Sequence, residues 1–158
     1  MNRTTERSLE KSAYDEAIEL LLQLHQVIAQ GGLKSAAADE IRDAMEEPYA
    51  HLDESQLLRL RILSANLYML NDKEVPRPVP PEQRTKAWLE PRLLEAQQNQ
   101  DWDTALALLR NGPDYMTPDA LAYQRSVAYR NLGHCEIALL FADYAYQNGL
   151  MKRTPAAA

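Results

Sequence analysis

Apolar side chains recur three and four residues apart through most of this chain, and nowhere do they alternate with polar ones over the length of a strand. That spacing places them on one face of a helix, so the chain must bury its core between helices. Tyr14, Ile18, Leu21, Leu22, His25 and Ile28 form the first such stripe, over residues 9–30. Gly31 and Gly32 close it, because glycine accepts the left-handed conformation that ends a helix. Ser35 is a natural N-cap for a second helix over 36–47, which Pro48 is expected to end. Asp53, with Gln56 three residues on, makes a capping-box pattern for a third helix whose stripe is Leu57, Leu60, Leu63, Leu67 and Leu70.

The segments 88–98, 101–110, 117–132 and 135–148 continue the pattern, with Pro91 falling in the first turn of its helix or kinking it. Thr117-Pro118-Asp119 supplies a cap, a proline at the first helical position and an acid at the positive helix end. Gly149 is expected to close the last helix. The expectation is an all-α fold of about seven helices in antiparallel pairs. Five glycines and one phenylalanine in 158 residues leave little for the turns of a sandwich or barrel.

The punctuation between helices is strongest at Val75-Pro76-Arg77-Pro78-Val79-Pro80-Pro81, where four prolines in six residues favour extended polyproline geometry. It divides one compact domain into an N-terminal helical lobe (1–70), a linker (71–81), a second helical lobe (82–150) and a flexible tail (151–158). Pro78-Val79-Pro80-Pro81 has the P-x-x-P form of an SH3 ligand, but Arg77 and Arg84 are not at the flanking spacings, and a stiff spacer is the simpler reading. The formal net charge is −6. Residues 1–70 hold 7 basic and 12 acidic side chains, a net −5, and the remainder holds 10 and 11, a net −1. No helix carries the basic stripe that a nucleic-acid binder needs. The polar N-terminus lacks the apolar core of a signal peptide, and no apolar run is long enough to span a bilayer. With one cysteine, Cys135, no intrachain disulfide can form, which fits a reducing, cytoplasmic compartment.

An internal repeat lies in the second half. Residues 100–109 align with 133–142, with Trp102 over Cys135 and Ala105 over Ala138, 33 residues apart. Residues 119–149 resemble a tetratricopeptide repeat: Ser126 stands at the small position of its first helix and Tyr129 at the aromatic one. Gly133 stands at the turn, and Ala138 and Ala145 at the small positions of the second helix. Residues 86–118 resemble it less well. Trp102, Ala105 and Pro118 fit, Leu93 and Ala96 exchange large and small, and Gln100 replaces the glycine.

The resemblance implies a right-handed array of helix pairs with the N-terminal three helices as a cap. It also implies a peptide-binding groove lined by Tyr123, Val127 and Arg130 of one unit and by Glu90, Leu94 and Gln97 of the unit before it. The Lys and Asn residues with which some members of that family clamp a peptide carboxylate are absent from these positions. The alignment puts Cys135 at a normally buried position, where it would be a packing thiol.

Other chemistry is thinly represented. His51-Leu52-Asp53 offers two metal ligands, not a site; His25 lies on an apolar stripe and reads as core. Asp39, Glu40, Asp43, Glu46 and Glu47 crowd one helix, which is the pattern of a solvated face or of a dock for a basic partner. There is no phosphate-binding glycine loop and no nucleophile elbow. The sequence therefore points to a non-enzymatic interaction module that binds a protein or peptide partner, without cofactor, metal, nucleic acid or membrane. A self-associating structural protein, dimerising through unpaired end helices, and a small-ligand-binding bundle are the alternatives.

Overall fold

A computed structural model describes residues 11–73, 80–114 and 116–157. Among them are seven α-helices, three short 3-10 turns and no strand. The chain divides into two compact units, with the boundary between Glu74 and Val75, inside the proline-rich segment. Most of that segment (74–79) lies outside the described residues.

In the first unit, α1 (Ala13–Gly31) starts where the Ser12 hydroxyl accepts from the Asp15 amide at 3.1 Å. It ends at Gly32, which has φ 88°. Its buried face is Ala17, Ile18, Leu21, Leu24 and His25, a stripe rotated slightly from the expected one, since Leu22 and Ile28 are only half-buried. A short connection turns the chain into α2 (Ala36–Ala50), capped by Ser35 on the Ala38 amide at 3.2 Å. This helix does not stop at Pro48. It runs through to Ala50, and the proline is buried. Proline removes one donor and crowds the preceding turn, but burial of the ring in the last turn offsets that loss. The capping box at Asp53 is present in full, with Gln56 N donating to Asp53 Oδ1 at 2.8 Å and Asp53 N donating to Gln56 Oε1 at 3.1 Å. It opens α3 (Glu54–Leu67), which packs against α1 and buries Leu60, Leu63, Asn66 and Leu67. The acidic residues of α2 are all exposed, and Asp39 pairs with Arg42 at 3.0 Å.

The second unit holds α4 (Lys86–Gln98), α5 (Trp102–Leu109), α6 (Pro118–Asn131) and α7 (Cys135–Ala157). α4 begins two residues earlier than the sequence indicates, because the Thr85 hydroxyl accepts from the Trp88 amide at 3.2 Å. Pro91 therefore lies inside the helix. Beside it the Arg92 guanidinium lies over the Trp88 ring and donates to the Trp88 carbonyl at 2.7 Å. α7 continues past Gly149 to Ala157. Gly149 instead faces the start of α6, where a Cβ would lie 3.5 Å from Asp119 Oδ2. That contact fixes α6 and α7 as antiparallel.

The second unit repeats itself in its backbone. α4 and α6 end 33 residues apart, at Gln98 and Asn131, and α5 and α7 begin 33 apart, at Trp102 and Cys135. The turns between them match bond for bond. Asp101 N donates to Ala96 O at 2.8 Å, and His134 N donates to Tyr129 O at 2.9 Å. Each turn carries one left-handed residue, Gln100 (φ 56°) in the first and Gly133 (φ 88°) in the second. The core includes Leu89, Leu93, Leu109, Leu121 and Ile137, with Tyr129 stacked on Phe141 at 5.6 Å between ring centroids.

Candidate groove on the last helix pair

Three groove residues named from the sequence, Tyr123, Val127 and Arg130, fall four and three residues apart on α6 and share one face. Asp119 continues that row toward the helix start, and Ala120 flanks it. α7 supplies the facing wall: Ala138, Leu139, Ala142, Ala145, Tyr146 and Gly149, again at helical spacing. Together they line an open groove of about 720 Å³. Small side chains form its floor. Its rims are large and apolar, with Tyr123, Leu139 and Tyr146 between 59% and 70% exposed. The groove has an acid at one end, Asp119, and a base at the other, Arg130.

The comparison between repeated positions explains why this groove is open. α5 packs against both α4 and α6, and its Leu106 and Leu109 are buried. Their counterparts 33 residues on are Leu139 and Ala142 of α7, and both are exposed. The same change overtakes the first residue of the helix. Trp102 is half-buried, whereas Cys135 is exposed at the rim of the groove. The expectation of a buried Cys135 is thus corrected: among the described residues no helix covers it, and it lies exposed at the groove's rim.

The other three expected residues lie on α4, outside this groove. Glu90 is exposed and pairs with Lys86 at 3.5 Å, and Leu94 is exposed. Gln97 donates to Gln124 Oε1 of α6 at 2.8 Å, a bond that ties the first helices of the two pairs together. The residues that sequence reasoning missed are those of α7, above all Leu139, Ala142 and Tyr146. Their signal was a stripe with a seven-residue period, in which Ala138 and Ala145, Leu139 and Tyr146, and Ala142 and Gly149 occupy equivalent places.

Elsewhere, His25 is buried in the first unit, edge-on to Tyr68 at 4.6 Å and with Nε2 3.0 Å from Ser64 Oγ. Burial lowers its pKa from 6.5 to about 4, and Nδ1 finds no hydrogen-bond partner among the described residues. Among the described residues no three His, Cys, Asp or Glu side chains lie close enough to hold a metal ion. No helix among them is long and apolar enough to cross a membrane. Compared with known proteins, the chain matches no family model, no curated protein and no solved structure.

Proposed function

We propose that this chain is a non-enzymatic protein-interaction module of tetratricopeptide-like build, which docks a helix or helical peptide in the α6–α7 groove. The observation that carries this reading is the exposure of Leu139 and Ala142 where Leu106 and Leu109 are buried. In stacked helix pairs each pair leaves an apolar face that the next one covers. Here that face is open, and an incoming helix would take the place of the next helix in the array. Fully burying a Leu side chain is worth roughly 1.5–3 kcal/mol, so covering Leu139 and the two tyrosine rings would favour docking. Tyrosine and arginine are favoured anchors at interfaces, and the groove presents Tyr123, Tyr146 and Arg130 together.

The test is the double variant Tyr123→Ala, Arg130→Glu in affinity capture from the native host. The expected result is loss of the captured partner with helical content retained. Capture unchanged by the variant contradicts the reading.

A further inference from the structure

Asparagine precedes glycine twice in the second unit, at Asn111-Gly112 and at Asn148-Gly149. Such a pair is chemically labile where the backbone is free to bend. The glycine nitrogen attacks the asparagine side-chain carbonyl, and no Cβ on the glycine obstructs the approach. The fold treats the two pairs differently.

Asn148 and Gly149 lie inside α7. There the Asn148 amide donates to the Tyr144 carbonyl at 2.9 Å. The Gly149 N–H belongs to the helix ladder, bonded to the carbonyl one turn back. Attack by that nitrogen requires the helix to unwind.

Asn111 and Gly112 lie past the end of α5, where the chain enters a 3-10 turn (Gly112–Asp114). Asn111 Oδ1 accepts no hydrogen bond among the described residues, although Asn111 is only 5% exposed. The Gly112 N–H donates to no backbone carbonyl among them. A side chain unanchored at its oxygen thus stands next to a nitrogen outside any helix ladder. Glycine is required at this place: a Cβ on Gly112 would lie 2.8 Å from Leu121 Cδ1 and 3.2 Å from Met116 Sδ. The packing of α6 against the turn therefore demands the very residue that makes Asn111 labile.

We propose that Asn111 is a site of spontaneous deamidation in the folded protein, and that Asn148 is protected from it. Gly112 N gives up its proton and bonds to Asn111 Cγ. The Cγ–Nδ2 bond breaks, and Nδ2 leaves as ammonia with that proton. Water then opens the cyclic imide at either carbonyl and leaves aspartate or isoaspartate at 111. Either product places a carboxylate where an amide was almost fully buried, and a buried charge without a partner is strongly unfavourable. Isoaspartate also lengthens the main chain by one carbon, which shifts Gly112 against Leu121. Ageing at this bond loosens the join between α5 and α6.

The test holds the full chain at mildly alkaline pH, folded and in urea, and samples it over time. Peptide mass spectrometry reads the conversion of amide to acid, and enzymatic methylation of isoaspartate is the second readout. In the folded chain both signals are expected at 111 and neither at 148; in urea both sites react. Asn111 left intact in the folded chain, or reaction at 148 as fast as at 111, overturns the proposal. Asn111→Asp installs one product directly and is expected to unfold at a lower urea concentration than the wild type. An Asn111→Asp chain as stable as the wild type overturns the loosening of the α5–α6 join.

Discussion

Gln100 and Gly133 occupy the same place in two superposable turns, and only one of them is a glycine. A side chain at positive φ costs roughly 1–2 kcal/mol, part of which glycine returns through the greater freedom of the unfolded chain. Gln100→Gly is therefore expected to stabilise the protein by about 0.5–1 kcal/mol. Gly133→Ala is expected to destabilise it by about 1 kcal/mol, through the backbone alone, since nothing lies within 4 Å of a Cβ built there. Chemical denaturation of the two variants checks both signs.

His25 is the second residue whose surroundings make a measurable claim. Its folded pKa of about 4 lies below the ordinary 6.5, so between those values the unfolded chain binds the proton first. The stability due to neutral His25 is complete above about pH 6.5 and is lost as pH falls toward 4, by up to roughly 3 kcal/mol. In His25→Gln, which keeps a polar group near Ser64 but does not titrate, the pH dependence between 6.5 and 4 is expected to be shallower. An identical slope in the two proteins contradicts the assignment. The burial of His25 could be read from its place on an apolar stripe. The left-handed turn at Gln100 could be aligned but not foreseen, because the sequence shows a polar residue where a glycine would announce the geometry.

At the scale of the element, helix starts were legible in part: Thr117, read as a cap, makes no side-chain cap hydrogen bond, and the caps Ser12, Thr85 and Asp101 were not singled out. Ser12, Ser35, Asp53, Thr85 and Asp101 all accept from an amide three residues on, and Ser35 and Asp53 were evident as caps because a short polar side chain there satisfies an amide the helix leaves free. The stops were less legible. Pro48 and Gly149 read as terminators, yet both lie inside helices. In each case the local cost is small beside the packing the helix gains: Pro48 is buried, and Gly149 lets the start of α6 approach α7.

The sequence also could not show which of two equivalent leucines is covered, since Leu106 and Leu139 stand at equivalent positions with the same residue type, the first buried and the second exposed. Leu106→Ala is expected to cost about 2–5 kcal/mol. Leu139→Ala, measured at a chain concentration too low for association, is expected to cost less than about 0.5 kcal/mol. Equal costs would mean that the α7 face is covered within the chain, contrary to its exposure here.

For the whole molecule, composition and periodicity settled the class: all-α, with the two units meeting in the proline-rich segment. The uneven charge follows the same division. Most of the net −6 belongs to the first 70 residues, and the repeated helix pairs are close to neutral. Of the six residues expected to line a groove, Tyr123, Val127 and Arg130 line the one between α6 and α7, because helical spacing places them in a row, whereas Glu90, Leu94 and Gln97 lie on α4 outside it. The α7 wall comes from three-dimensional packing, which spacing along the chain does not show.

The central claim is that the α6–α7 groove is the surface on which something docks. A photo-crosslinking amino acid placed at Ala142 in the native host tests it most directly, with the same group at Leu58, an exposed leucine of the first unit, as reference. The account predicts a discrete crosslinked species from Ala142, a second copy or another protein, and none from Leu58. Crosslinks from Leu58 alone, or from neither position, would contradict it.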